Sequence, residues 1–373
     1  MKCKKILTAL LAAACTMSGC HGDLDIMQDN KLSASNMWID ESDAETATYG
    51  IYLYMRDALK SVHDIYLCWG EFRNGLWGAG TNKTLSGVDQ TQVRTSTMSS
   101  SNAYADWSVM YKTVNQANLI LKHVPEMGIS ESVRNFSLGN AYFSRAWCYF
   151  WIARIWGDAP LALTGYESTA GDLYLPRAPK SEIFARIESD LTEAERYVTD
   201  NSDKAVATPA AVQMLKADYA LWMYRVAGGG SSYLTMAEEA IETLNLSASR
   251  LESDYAQVFS SANKLNKEVI FAVHQANGEA VNGPGYYLGW NSNYVEAAYQ
   301  NNPVPITGGN QWWWYTDRYK ALLTSVEGDT RTKLTYNRAD YGTTIKSIEW
   351  TEKGVGQMIS GARIFDSDFI LYR

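Results

Sequence analysis

Helical spacing of apolar residues dominates the first two thirds of the sequence and limits the folds that are open to the chain. Six segments with this spacing follow one another, and short breaks separate most of them. They cover residues 40–65, 103–124, 131–156, 180–199, 209–226 and 234–246. Helices of this length with short connections predict a mainly α fold made of helical hairpins.

The ends of two of these segments are well marked. Thr208 and Pro209 open the fifth, because Thr is a good N-cap and Pro suits the first helical position. The third stops at residues 157–160, Gly-Asp-Ala-Pro, where a glycine end is followed by a residue that cannot continue a helix. Small residues along the helices favour close pairing, so we expect an array of tetratricopeptide type. The Ser- and Thr-rich stretch 87–101 interrupts it and predicts a surface loop.

The character of the chain changes after residue 250. Residues 268–273 form a short apolar run typical of a strand. Residues 277–310 are rich in Asn and contain several Gly and Pro, which indicates loops, where binding residues often lie. We therefore expect a helical region over residues 20–250 and a loop-rich region with short strands over residues 251–373.

The N-terminus has the marks of an export signal. Three lysines precede an apolar run over residues 6–15, which is too short to span a bilayer. Met17, Ser18, Gly19 and Cys20 then follow, and this pattern is similar to the lipobox of bacterial lipoproteins, in which the Cys is acylated. We predict a signal peptide over residues 1–19 and a lipid anchor on Cys20. An ordinary secretory signal cut near Gly19 is the alternative.

Composition excludes several function classes. The formal net charge of −8 argues against a nucleic-acid binder, which needs a basic surface. The four His residues are scattered without metal-ligand spacing, and no glycine loop has the spacing of a phosphate-binding motif. We therefore expect neither a metal nor a cofactor, and no catalytic constellation is evident. The 13 Trp residues are the unusual feature, because large amphipathic rings serve either an aromatic interior or a stacking surface.

Two segments combine aromatic rings with amides or a planar cation, as a sugar site requires. Sugars present apolar C–H faces and a fringe of hydroxyl groups, which suit rings and hydrogen-bonding side chains respectively. The alternative is that these rings pack the loops onto the helices, as we expect of the tryptophans at helical positions. The candidate ligand-binding residues are Trp69, Arg73, Trp77, Trp290, Asn293, Trp312, Trp313 and Trp314.

A series of motifs in fixed order carries a family resemblance. Residues 141–150 read Ala-Tyr-Phe-Ser-Arg-Ala-Trp-Cys-Tyr-Phe, and residues 156–161 read Trp-Gly-Asp-Ala-Pro-Leu. Weaker motifs follow at residues 176–177, 187–191, 208–211, 266–271 and 328–331. With the lipobox in front of them, they resemble the SusD/RagB nutrient-binding lipoproteins of Gram-negative outer membranes.

The resemblance implies a function and a location. Such a protein would be lipid-anchored in the outer membrane and face outward. It would capture oligosaccharide or a related nutrient and deliver it, without bond cleavage, to a SusC-type TonB-dependent transporter. A surface-anchored helical-repeat adaptor that binds protein and no glycan is the alternative, and a surface glycoside hydrolase ranks behind both. Family members continue beyond the position of Arg373, so the resemblance also implies a C-terminally shortened chain.

Overall fold

The fold is mainly α, as predicted. The structure, a computed structural model, describes residues 37–62, 65–80, 87–169, 173–275, 284–364 and 368–373. The predicted signal peptide and Cys20 lie outside the described residues. Most of the helical residues precede residue 246, and most of the strands follow residue 270.

Helices account for most of the regular structure of the first part of the chain, and a few short ones follow it. The longer ones are α1 (Glu41–Leu59), α4 (Ser108–His123), α5 (Glu131–Trp156), α6 (Lys180–Tyr197), α7 (Pro209–Arg225) and α8 (Ser231–Thr243). The shorter ones are α2 (Ile65–Gly70), α3 (Val88–Thr95), α9 (Tyr255–Val258), α10 (Asp317–Leu323) and α11 (Thr330–Thr335).

The described strands are short and pair in antiparallel twos. The pairs are β1 (Trp77–Ala79) with β5 (Trp313–Tyr315), β2 (Ala159–Pro160) with β3 (Arg177–Ala178), β4 (Phe271–Val273) with β10 (Phe369–Tyr372), β6 (Asn337–Ala339) with β7 (Ile348–Trp350), and β8 (Gln357–Ile359) with β9 (Ala362–Ile364). Two of these pairs join parts of the chain that are far apart in sequence.

Side-chain caps fix where the helices begin. Asp40 accepts a hydrogen bond from the N–H of Asp43, whose side chain accepts in return from the N–H of Asp40. Thr208 accepts from the N–H of Ala211 at 3.1 Å, and Pro209 occupies the first turn of α7. Both starts agree with the sequence pattern.

Helix α5 lies at the centre of the array and packs against α1, α4 and α6, while α7 pairs with α8. Its Phe143, Trp147 and Phe150 are fully buried, which explains the density of aromatic residues in this helix. The tryptophans at helical positions all join the same core, as predicted: Trp107, Trp147, Trp151, Trp156 and Trp222.

The prediction of a surface loop over residues 87–101 was wrong for residues 88–95, whereas residues 96–101 lie outside any helix or strand. Residues 88–95 form α3, in which Gln90 and Val93 are buried. Gln90 donates to the hydroxyl of Tyr104 at 3.0 Å, so a polar side chain is buried with a partner. Ser and Thr are poor helix formers, but tertiary packing overrides their weak preference here.

A buried ion pair joins α5 to α6. Arg145 donates to Asp190 through Nε at 2.8 Å and Nη2 at 2.7 Å, and its Nη1 donates to Asn118 of α4 at 2.7 Å. The side chains are 5% and 0% exposed, respectively. The guanidinium therefore ties three helices together in one plane of hydrogen bonds.

The last strand connects the loop-rich region to the helices. Phe369 of β10 lies opposite Val273 of β4, and Phe271 packs edge-on against Phe143 of α5 at 5.0 Å between ring centroids. The hydroxyl of Tyr372 donates to Asp218 of α7 at 3.3 Å. The two predicted regions thus share one aromatic core.

Two smaller features bear on location and redox chemistry. None of the helices in the described ranges has the length and apolar character needed to cross a membrane. The side chains of Cys68 and Cys148 are both buried.

Loss of the buried cation should destabilise the fold strongly. We expect Arg145→Met to lower the free energy of unfolding by about 3–5 kcal/mol, because Asp190 would keep a buried charge without its principal partner. Arg186→Met is the matched control, since Arg186 contacts the same carboxylate at 3.3 Å from a partly exposed position. It should cost less than about 1 kcal/mol. Urea denaturation measures both, and equal losses would contradict the assignment.

Candidate functional site

Antiparallel pairing of β1 and β5 brings the two predicted ligand-binding segments together. Trp77 lies opposite Tyr315, Gly78 opposite Trp314, and Ala79 opposite Trp313. Because side chains alternate across a strand, Trp77, Tyr315 and Trp313 share one face of this ladder. The structure therefore joins Trp77 from the first segment to the tryptophan run of the second.

Trp313 packs on the inner side of this face, where its ring is buried. Its ring stacks on Phe72 at 4.3 Å between centroids, and the guanidinium of Arg94 lies 5.4 Å from its centre. Phe72 also contacts Trp77 at 4.9 Å. Trp313 is only 1% exposed, so a ligand would reach its ring only if the covering side chains moved.

A cavity of about 390 Å³ opens beside this ladder and has the composition of a sugar site. Trp77, Tyr315 and Tyr319 contribute its aromatic rings. Trp77 and Tyr315 are 4.6 Å apart between centroids, and Tyr319 meets Tyr315 edge-on at 5.0 Å. We call this the aromatic cavity; flat rings of this kind can contact the C–H face of a pyranose.

Polar side chains that can donate hydrogen bonds, and others that can accept them, line the same cavity. Glu71 and Asn74 come from the turn after α2, where the Asn74 amide donates to Glu71 at 3.2 Å. Lys353 comes from a part of the chain that is distant in sequence from Glu71 and Asn74. Its ammonium lies 4.5 Å from the centre of the Phe259 ring. Burial lowers the pKa of Lys353. Carboxylate, amide and ammonium groups can together accept from and donate to sugar hydroxyls.

Glu349 stabilises β5 through hydrogen bonds to its carboxylate. Its carboxylate accepts from Trp314 Nε1 at 2.7 Å, from Lys320 Nζ at 2.9 Å and from the Tyr336 hydroxyl at 3.0 Å. Burial and the neighbouring Glu349 charge raise the pKa of Tyr336 to about 12. Trp314 is thereby held in the protein interior, where it supports the ladder.

Trp290 and Asn293 lie outside the aromatic cavity. Trp290 is 0% exposed and donates from Nε1 to the carbonyl oxygen of Glu349 at 2.8 Å, within a separate cluster around Val295 and Trp350. Asn293 is exposed in a short turn, where its N–H donates to Asn291 at 3.0 Å. Trp290 is therefore placed as a packing residue of the loop region.

The other three candidates do not line the cavity. Trp69 packs edge-on against Trp151 and Trp156, and donates from Nε1 to the carbonyl oxygen of Tyr104 at 3.0 Å. Arg73 is exposed in the turn that supplies Glu71 and Asn74. Trp312 is half-buried and stacks loosely on Tyr287, with centroids 6.4 Å apart.

The predicted ligand-binding residues do not include Tyr315, Tyr319, Lys353 or Glu71. Tyr315 could be predicted from the sequence, because it follows Trp313 by two positions and strand alternation places both side chains on one face. Tyr319 follows by a further helical turn. Nothing local marks Lys353, which a long-range contact brings to the cavity.

The described residues contain no group of three or more His, Cys, Asp or Glu side chains positioned to hold a metal ion. The aromatic cavity therefore offers stacking and hydrogen bonding to a ligand through ordinary side chains.

Residues 79–222 match the family model SusD-like_3, which is described as starch-binding, associating with the outer membrane. SusD-like protein P38 of Formosa agariphila is 26% identical over 190 residues, which are 51% of this chain and 36% of that protein. The chain thus spans about a third of the length of this curated relative.

Two solved structures from Bacteroides fragilis share the fold over most of the chain. One is a SusD superfamily protein, 26% identical, with a TM-score of 0.73 over 90% of this chain and 72% of its own. The other is NanU, also 26% identical, with a TM-score of 0.76 over 92% and 74%.

Replacement of the Glu349 carboxylate should loosen the support of the aromatic cavity. We expect Glu349→Gln to lower the free energy of unfolding by about 1–3 kcal/mol, because an amide cannot accept three donors as a carboxylate does and the buried donors lose their partner. Glu327→Gln, at an exposed position, is the control. Urea titration followed by Trp fluorescence tests this, and identical midpoints for the two variants would rule out the supporting role.

Proposed function

Given these similarities, we propose that the chain is a SusD/RagB-type protein that binds glycan at the cell surface and delivers it to a transporter. The ligand is an oligosaccharide or a related nutrient, and the aromatic cavity is where it binds. Binding is an equilibrium step that is followed by transfer, and no bond is broken.

The observation that carries this proposal is the composition of the aromatic cavity. Trp77, Tyr315 and Tyr319 form its rings, and Glu71 and Lys353 supply an acceptor and a donor beside them. Rings bury the apolar face of a sugar, while the charged groups make the stronger kind of hydrogen bond to its hydroxyls. A cavity of about 390 Å³ lies within the range of small-ligand sites and suits one or two sugar units.

The carboxylates of the cavity favour binding over hydrolysis. Asp368 accepts from the backbone N–H of Gln275 at 3.0 Å and pairs with Lys264 at 3.3 Å and His274 at 3.0 Å. The oxygens of Asp368 are thus already engaged by groups of the protein. Glu71 in turn accepts from Asn74, so both carboxylates have partners within the protein.

Transfer requires that the protein stay at the membrane beside its transporter. We propose that acyl chains on Cys20 anchor it in the outer membrane, facing outward, because several acyl chains give stable attachment where one does not. A SusC-type TonB-dependent barrel is the proposed partner.

Removal of a cavity ring should weaken glycan binding. We expect Trp77→Ala and Tyr319→Ala each to lower affinity for a bound oligosaccharide roughly tenfold, equivalent to about 1.4 kcal/mol of lost ring contact. Tyr224→Ala, an exposed tyrosine on α7, should change nothing. A panel that includes maltooligosaccharides, measured by titration calorimetry, identifies the glycan first.

Thermal unfolding of each variant separates lost binding from lost folding. Unchanged affinity in both cavity variants would remove the aromatic cavity as the site. Retention of a partner protein with no glycan bound by the parent would instead favour the helical-repeat adaptor.

Acylation should depend on one cysteine. We expect the full chain expressed in a Gram-negative host to incorporate labelled fatty acid, and Cys20→Ala to abolish the label and release the protein from membranes. Cys15→Ala is the matched control and should retain the label, since Cys15 lacks the apolar residue three positions before it. Label that persists in Cys20→Ala would refute the anchor.

A further inference from the structure

A second cavity, of about 450 Å³, lies at the start of α7 and shares no lining residue with the aromatic cavity. Lys204 and Arg250 contribute two cations to its wall. Leu244 and Ile270, each 8% exposed, form an apolar side. We call it the basic cavity.

The two cations lack acidic partners in the described part of the chain. Lys204 Nζ donates to the carbonyl oxygens of Asn266 at 2.6 Å and Leu265 at 3.4 Å, and Arg250 Nη1 donates to that of Leu244 at 3.3 Å. No described Asp or Glu lies within 4.0 Å of either cation. Carbonyl groups satisfy N–H donors but cannot neutralise their charge.

The charges around the basic cavity leave it net positive. Burial and the charge of Arg250 both lower the pKa of Lys204, and only the charge of Glu252 opposes them. The carboxylate of Glu195 accepts from the Gln213 amide at 2.8 Å, but Lys216 already pairs with it at 2.7 Å. Two like charges held together in this way cost free energy that a bound anion would recover.

We propose that the basic cavity binds the carboxylate group of an acidic sugar. The carboxylate would accept from the free N–H groups of Arg250 and the remaining N–H of Lys204, which are charge-assisted hydrogen bonds. The apolar side would contact the C–H face of the ring, and the amide oxygen of Gln213 would accept from a hydroxyl. The first turn of α7 adds partial positive charge to the same wall. This site is independent of the aromatic cavity.

Glucuronate is the probe and glucose is its neutral counterpart. We expect the full chain to bind glucuronate more tightly than glucose or acetate by titration calorimetry at low salt, with affinity falling as salt rises. Arg250→Gln should weaken glucuronate binding about tenfold, because it removes a charge-assisted contact from an exposed position. Lys204→Met should have a similar effect. Arg225→Gln, at the far end of α7, makes the same charge change as Arg250→Gln and should have none.

The outcomes separate this site from the proposed function. Binding of the glycan that the panel identifies for the aromatic cavity should be the same in Arg250→Gln as in the parent. Unchanged glucuronate affinity in Arg250→Gln would overturn the proposal, and so would equal affinity of the parent for glucose. Acetate bound as tightly as glucuronate would show a bare anion site and overturn the assignment to a sugar. If Lys204→Met lowers the unfolding midpoint, Arg250→Gln alone decides.

Discussion

The hydrogen bonds between Arg145 and its partners in α4 and α6 fix the helix on which the rest of the structure depends. They set the register of α5 against both neighbours at a point where neither charge meets water. From there α5 presents Trp151 and Trp156 to Trp69, and α2 in turn leads into the turn that holds Glu71 and Asn74. A polar contact deep in the array thus holds the helix on which Trp69 packs.

The aromatic surplus divides according to what surrounds each ring. Trp147 and its neighbours fill the helical core, while Trp290 and Trp314 are fixed by hydrogen bonds to Glu349. Trp77 remains half-buried at the cavity wall. One residue type therefore serves packing, support and a candidate ligand contact, because a large ring with one polar edge suits all three.

Local signals predict the helical array well and the site only in part. Neighbouring residues determine the caps at Asp40 and Thr208 and the end of the helix after Trp156. Their positions therefore follow from the sequence. The pairing of β1 with β5 has no such signal, because more than 200 residues separate the strands. That pairing decides that Trp313 points inward and that Tyr315 lines the cavity. The Ser- and Thr-rich composition of this segment likewise did not predict α3, because the residues that bury the helix are distant in sequence.

The pairing of distant strands also has a consequence for the order in which the molecule forms. Contacts among α4, α5 and α6 are local and carry a small loop-closure cost, so the array can form early. The aromatic cavity takes residues from α2, from β5 and from the segment around Lys353, which meet only after long loops have closed. It is therefore the late-forming part of the molecule and is expected to open first in hydrogen exchange. A bound glycan would then protect the amide hydrogens of β1 and β5 more than those of α5.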